Sequence, residues 1–172
     1  TPCGTLFPYT TLFRSRNPFG CPDEDVDLQA AENLERVLSD SHSGYSKPAA
    51  VILESVQGEG GTIIPTTRFM KRVREICDKH DVLMICDEIQ AGLGRTGKMF
   101  AFEHFDIVPD IITMSKALGG VGFPISAIAY KEKLNTWPAG KSIGTFRGNM
   151  VAFAAGHAAL KWMTENEIPE RA

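Results

Sequence analysis

The sequence lacks the features that would commit it to several classes of protein. No apolar run approaches the roughly 20 residues needed to cross a membrane, and a formal net charge of −3 gives no reason to expect nucleic acid as a partner. The four cysteines, Cys3, Cys21, Cys77 and Cys86, share no CxxC spacing. Two of them lie inside apolar runs, where a reduced cysteine behaves as a small core residue, which fits a reducing cytosol. His104 and His157 have no metal-ligand spacing, so both read as packing or surface residues. There is no internal repeat, no low-complexity linker, and no basic-then-apolar-then-small order of a signal peptide at the amino terminus. What remains is ordinary for a soluble globular chain: 172 residues, 43% hydrophobic and 23% charged, enough for one domain-sized core.

The amino-terminal stretch needs a different explanation. TLFPYTTLFRS (Thr5 to Ser15) back-translates in frame into a common short-read sequencing adapter along its whole length. Residues 1–15 are therefore expected to be foreign. Natural sequence is expected from near Arg16, there cut rather than initiated.

From Arg16 onward, strands alternate with helices. Asp27 can cap a helix running through Leu38, with Leu28, Ala31, Leu34 and Leu38 on one side and Ser43-Gly44 as its stop. Residues Ala49 to Ser55 form a short apolar run ending in the turn-rich QGEGG, which predicts a buried strand. Thr66 or Thr67 begins the next helix, whose Phe69, Met70, Val73, Ile76 and Cys77 make one apolar face. Further strands are predicted over Val82 to Glu88, Ile111 to Ser115 and Ile125 to Tyr130. Helical crossovers imply an α/β fold with a mostly parallel sheet and helices on both faces. The link into the last strand is too short for a crossover helix, which makes that strand antiparallel. Asn149 to Asn166 is apolar or small nearly all round until Lys161, the pattern of a helix buried at an interface.

In such a sheet, ligands sit beyond the carboxyl ends of the parallel strands. Glu54 and Glu59 follow the first strand, Asp87, Glu88 and Gln90 the second, and Lys116 the third, so these groups converge. A lysine among carboxylates can be a structural ion pair. A lysine that is partly desolvated can instead lose its proton and condense with an aldehyde, and an aspartate on the neighbouring strand is the partner that a protonated pyridine nitrogen needs. Gln90 and Glu88 can equally be turn-stabilising polar groups, and Thr145 a turn hydroxyl. Arg95 and Arg147 could meet substrate carboxylates or hold loops. GLGRTGK (Gly92 to Lys98) matches the GxxxxGK of a phosphate loop. Position 99 is Met where Ser or Thr should bind magnesium, and the stretch neither follows its own strand nor leads into a helical pattern, so an ATPase is only a remote alternative.

Four motifs, ESVQGEGG (Glu54 to Gly61), DEIQAGLGRTG (Asp87 to Gly97), SKALGG (Ser115 to Gly120) and GTFRGN (Gly144 to Asn149), occur in the order found in class III pyridoxal-phosphate-dependent aminotransferases, and the chain resembles that family. The resemblance implies that this is the central part of the large domain of a fold-type I enzyme. Lys116 would carry pyridoxal 5'-phosphate covalently and shuttle a proton, and Asp87 would pair with the pyridine nitrogen. Gln90 would hydrogen-bond the ring hydroxyl, and Thr145 would bind the phosphate of the cofactor held by the partner subunit of a homodimer. Glu59 matches the position that pairs with a switching arginine, so that one pocket accepts an ω-amine and then a 2-oxo acid. Glu54 would support this shell.

Within the family, RNPFG (Arg16 to Gly20), SGYSKPAAVILE (Ser43 to Glu54) and IGTFRGN (Ile143 to Asn149) most resemble the diaminobutyrate:2-oxoglutarate branch. The implied reaction converts L-2,4-diaminobutyrate and 2-oxoglutarate to L-aspartate 4-semialdehyde and L-glutamate. The ornithine, acetylornithine and 4-aminobutyrate branches stay open. By the same resemblance, residues 16–172 are expected to be a partial domain truncated at both ends. The phosphate loop, ring-stacking aromatic residue and switching arginine would lie outside it, and this piece alone would be inactive.

Overall fold

The computed structural model describes residues 25–42, 44–120, 122–138, 140, 141, 144 and 148–172. Along the chain run helix α1 (Val26–Ser39), strand β1 (Ala50–Glu54), helix α2 (Thr67–His80), strands β2 (Leu83–Asp87), β3 (Ile111–Met114) and β4 (Ala127–Tyr130), and helix α3 (Met150–Glu165). The strands form one sheet in the order β1-β2-β3-β4. The first three are parallel and β4 is antiparallel to β3, as the short link before β4 predicts. β1 and β2 are one residue shorter at each end than their apolar runs. β4 begins at Ala127 rather than Ile125, whose carbonyl instead accepts a hydrogen bond from Ser115 Oγ at 2.9 Å.

Side chains alternate across the sheet, and this sorts the strand residues into two sets. Val51, Leu53, Met84 and Cys86 point to one face, where they are buried with Ala30, Ala31 and Leu34 of α1 and Phe69, Met70, Val73, Ile76 and Cys77 of α2. Burying a side chain the size of Leu or Phe contributes about 1.5–3 kcal/mol, so this layer dominates the stability of the unit. On the other face Ile52, Glu54, Ile85 and Asp87 are half-buried. Asp87 and Glu88 are sequence neighbours and therefore face opposite ways.

Thr66 caps α2, its hydroxyl accepting from Phe69 N at 3.2 Å. Asp81 ends the helix in left-handed backbone, φ 53°, with its N–H returned to the last turn. The expected cap of α1 needs correction. Asp25 occupies that position, while Asp27 is buried in the first turn and binds Thr66 Oγ1 and Arg68 of α2, with Arg68 Nε 2.6 Å away. Burial raises the Asp27 carboxyl, but Arg68 and Thr66 outweigh it and hold the group below the usual carboxylate range. A group that can cap its own helix has here been drawn into the α1–α2 contact. Asp110, also buried, ties more elements together: it accepts from Arg74 of α2 at 2.8 Å, from Lys131 after β4 at 2.8 Å and from Met84 N of β2 at 3.0 Å.

Asn149 caps α3 by accepting from Val151 N at 3.0 Å and Ala152 N at 3.2 Å. The helix touches the turn that follows β3, where a methyl group on Gly156 would meet the Leu118 carbonyl at 2.7 Å. Only Ala152 and Gly156 are buried. Among the described residues nothing covers much of α3, which the sequence pattern expects to be buried at an interface: Met150 is 84% and Trp162 57% exposed.

Candidate active site

Parallel pairing brings the carboxyl ends of three strands level. Glu54 pairs with Asp87 across β1 and β2, and Asp87 with Thr113 across β2 and β3, so the side chains of all three project from one face at neighbouring positions. Lys116 follows β3 by two residues, at the head of a short 3-10 helix, Lys116–Gly119. Its backbone is left-handed, φ 45°, a region that residues with a Cβ rarely adopt. The exposed side chain turns back over the sheet end and its Nζ donates to Gln90 Oε1. Ser115, just before it, is held by its bond to Ile125.

Asp87 is half-buried. Its Oδ1 accepts from Ile89 N at 2.9 Å, which fixes the carboxylate as the chain leaves β2. Among the described residues, Oδ2 has no donor and is available to a ligand N–H. Glu54 Oε2 accepts from Gly58 N at 2.8 Å, and the QGEGG turn closes with Gly61 N and Thr62 N both bonded to the Gly58 carbonyl. Glu59 lies exposed on that turn, where no hydrogen bond joins it to the Lys116 cluster. Thr145 and Arg147 lie outside the described residues.

Two residues gain meaning only from the fold. Thr113, beside Asp87, has a buried hydroxyl with no partner among the described residues, an unsatisfied polar atom on the same face as the aspartate. Glu88 is fully buried and accepts from Ala101 N at 2.8 Å and Phe102 N at 3.0 Å, holding the first turn of the 3-10 helix Ala101–Phe105. Burial raises its carboxyl, with the two backbone donors acting against that rise. Glu88 is therefore a structural anchor, one of the alternatives open to it from sequence.

The remaining candidates resolve simply. No α-helix opens at the GxxxxGK match. Lys98 Nζ donates to the Glu103 carbonyl at 3.0 Å, so the loop is braced on the 3-10 helix that follows it. His104 bonds the Thr96 carbonyl at 2.9 Å, and His157 lies exposed on α3. No cluster of metal-binding side chains occurs among the described residues. Cys77 and Cys86 are buried free thiols, each pushed up to about 12 by burial.

A lysine amine in contact with an uncharged carboxamide, and a carboxylate with an open oxygen, follow or end neighbouring parallel strands, the end of such a sheet where ligands bind. The donor set fits pyridoxal phosphate. The family model described as aminotransferase class-III matches residues 7–172, a span that takes in most of the adapter-like stretch, and the chain belongs to that family. It is 45% identical over 167 residues to a diaminobutyrate-2-oxoglutarate aminotransferase of Haemophilus influenzae, an alignment covering 97% of this chain and 36% of that protein. Acetylornithine aminotransferase from Elizabethkingia anophelis superposes with a TM-score of 0.74 at 39% identity, over 82% of this chain and 35% of that one. Ornithine aminotransferase from Toxoplasma gondii, in a structure with pyridoxal phosphate partially occupying its active site, gives a TM-score of 0.74 at 36% identity, over 83% of this chain and 32% of that one. The chain thus spans about a third of the length of these relatives.

Proposed function

We propose that residues 16–172 are part of the large domain of a pyridoxal-phosphate-dependent aminotransferase, and that the whole enzyme moves an ω-amino group from an amine to a 2-oxo acid. The observation that carries this reading is the Lys116–Gln90 contact between the segments that follow β3 and β2, adjacent parallel strands of which β2 ends in Asp87. When bound, pyridoxal phosphate supplies an aldehyde and a ring that can take up the electrons of a broken carbon–hydrogen bond. Lys116 would hold that aldehyde through Nζ, and its free amine would be the group that takes the proton from the amine-bearing carbon of the substrate. Asp87, through its open oxygen, would accept the ring N–H and keep that nitrogen protonated. Gln90 would offer the ring hydroxyl a dipole without a full charge. Glu59, exposed on its turn, has the freedom to pair with an arginine in one half-reaction and release it in the other.

For substrates, this reading takes L-2,4-diaminobutyrate and 2-oxoglutarate, giving L-aspartate 4-semialdehyde and L-glutamate; the Haemophilus relative supports it. The solved ornithine and acetylornithine enzymes favour a second reading, in which one of those amines is the donor. A homodimer is part of the proposal, with Thr145 serving the neighbouring site and the uncovered apolar side of α3 supporting a partner. So is a cytoplasmic location, which suits buried thiols; none of the described helices is long and apolar enough to cross a membrane.

The test uses the full-length protein incubated with pyridoxal phosphate, reduced with borohydride and digested. The cofactor mass is expected on the peptide carrying Lys116 and on no other. Adducts scattered over surface lysines would overturn the assignment. An amine-donor screen on the same preparation then separates diaminobutyrate from ornithine and acetylornithine.

A further inference from the structure

We infer that Gly58 is a positioning residue for Gln90 and, through it, for Lys116: the missing side chain at Gly58 is what leaves room for the carboxamide. The inference rests on the proposed cofactor roles of Lys116 and Gln90. A methyl carbon on Gly58 would lie 2.3 Å from Gln90 Nε2, 2.5 Å from Cδ and 3.0 Å from Cγ, all inside contact distance. The turn cannot easily retreat. Gly58 N donates to Glu54 Oε2 at 2.8 Å, and its carbonyl accepts from Gly61 N at 2.9 Å and Thr62 N at 3.0 Å. Glu54 therefore acts at one remove, fixing the backbone against which Gln90 rests.

Which atom must yield decides the outcome. At Gly156 an added methyl would meet backbone, the Leu118 carbonyl at 2.7 Å, and the packing of α3 would suffer. At Gly58 it meets only the far end of a flexible side chain, and Gly58 is not among the residues with positive φ, so an L side chain is conformationally allowed. Gly58→Ala should leave the fold intact and swing the Gln90 carboxamide off Lys116 Nζ.

The test is a double-mutant cycle in the full-length protein, with Gly58→Ala, Gln90→Ala and the pair. It reads the Kd for pyridoxal phosphate by equilibrium dialysis and the urea midpoint of the apo form. Gly58→Ala is expected to weaken the cofactor about threefold to tenfold, the range of one net hydrogen bond, with its urea midpoint unchanged. The pair should bind no worse than Gln90→Ala alone, because Gly58 then has nothing left to position. Additive losses, an unchanged Kd in Gly58→Ala, or a lowered urea midpoint in that variant would overturn the inference. A separate result marks failure of the underlying reading: cofactor binding indifferent to both Gln90→Ala and Lys116→Ala.

Discussion

Lys116 occupies left-handed backbone, a conformation that costs a residue with a Cβ about 1–2 kcal/mol, and it does so at the turn where its amine meets Gln90. The meeting of Lys116 and Gln90 was legible in the sequence because each follows an apolar strand, and parallel strands bring such ends together. Thr113 was not legible: a threonine inside an apolar run reads as an ordinary strand former, and only pairing with Asp87 reveals its hydroxyl as unpartnered. Thr113→Val, which keeps the shape, is expected to raise the stability of the apo protein by about 1 kcal/mol, since a buried unsatisfied group costs about that much or more; a shift in the urea midpoint reads it. Asp87→Asn should let the cofactor attach but lower kcat by about a hundredfold to a thousandfold, the scale of a lost electrostatic contact in a transition state. Steady-state kinetics on the full-length enzyme, with the bound cofactor quantified, checks both halves of that expectation.

Among the elements, periodicity located the helices and strands to within a residue or two, because the core face of α2 repeats cleanly and the strands are short apolar runs. What periodicity missed are the polar ties between elements, which depend on residues distant in sequence. Glu35 of α1 accepts from Lys79 and His80 of α2 at 2.5 and 2.9 Å. Chiefly through Lys79, against the opposing effect of burial, these contacts hold its carboxyl at about 2. Burial pushes the Asp110 carboxyl up, but Lys131, Met84 N and Arg74 outweigh it and hold the group at about 2. Both groups are depressed on folding, so the stability they contribute is fully present above their ordinary values of 4.5 and 3.8 and is lost as pH falls through that range towards about 2. Urea midpoints measured down this range should fall steadily. Glu35→Gln should start lower at neutral pH and show a shallower decline.

Among the described residues, one face of the sheet is well buried and the other half-covered, and Ile128, Trp137, Met150, Val151, Phe153 and Trp162 are all more than 45% exposed. Exposed apolar groups on this scale mark a surface that other protein normally covers. The 172-residue chain on its own should therefore self-associate and bind an apolar dye, whereas the full-length protein should do neither beyond the proposed homodimer. Light scattering after size exclusion, together with dye fluorescence, checks this. The adjacent acids at the end of β2 carry a different consequence, one for how such a gene can change. Their division of labour is a matter of odd and even: Glu88 holds the backbone of Ala101 and Phe102, and Asp87 lies on the face that carries Glu54 and Thr113, because they stand on opposite sides of a pleat. Gaining or losing one codon within β2 would exchange their sides while leaving both acids in the sequence, whereas a change of two codons would restore them. Length variation across this strand is thus expected in steps of two, a reading frame that is set by the sheet rather than by the ribosome.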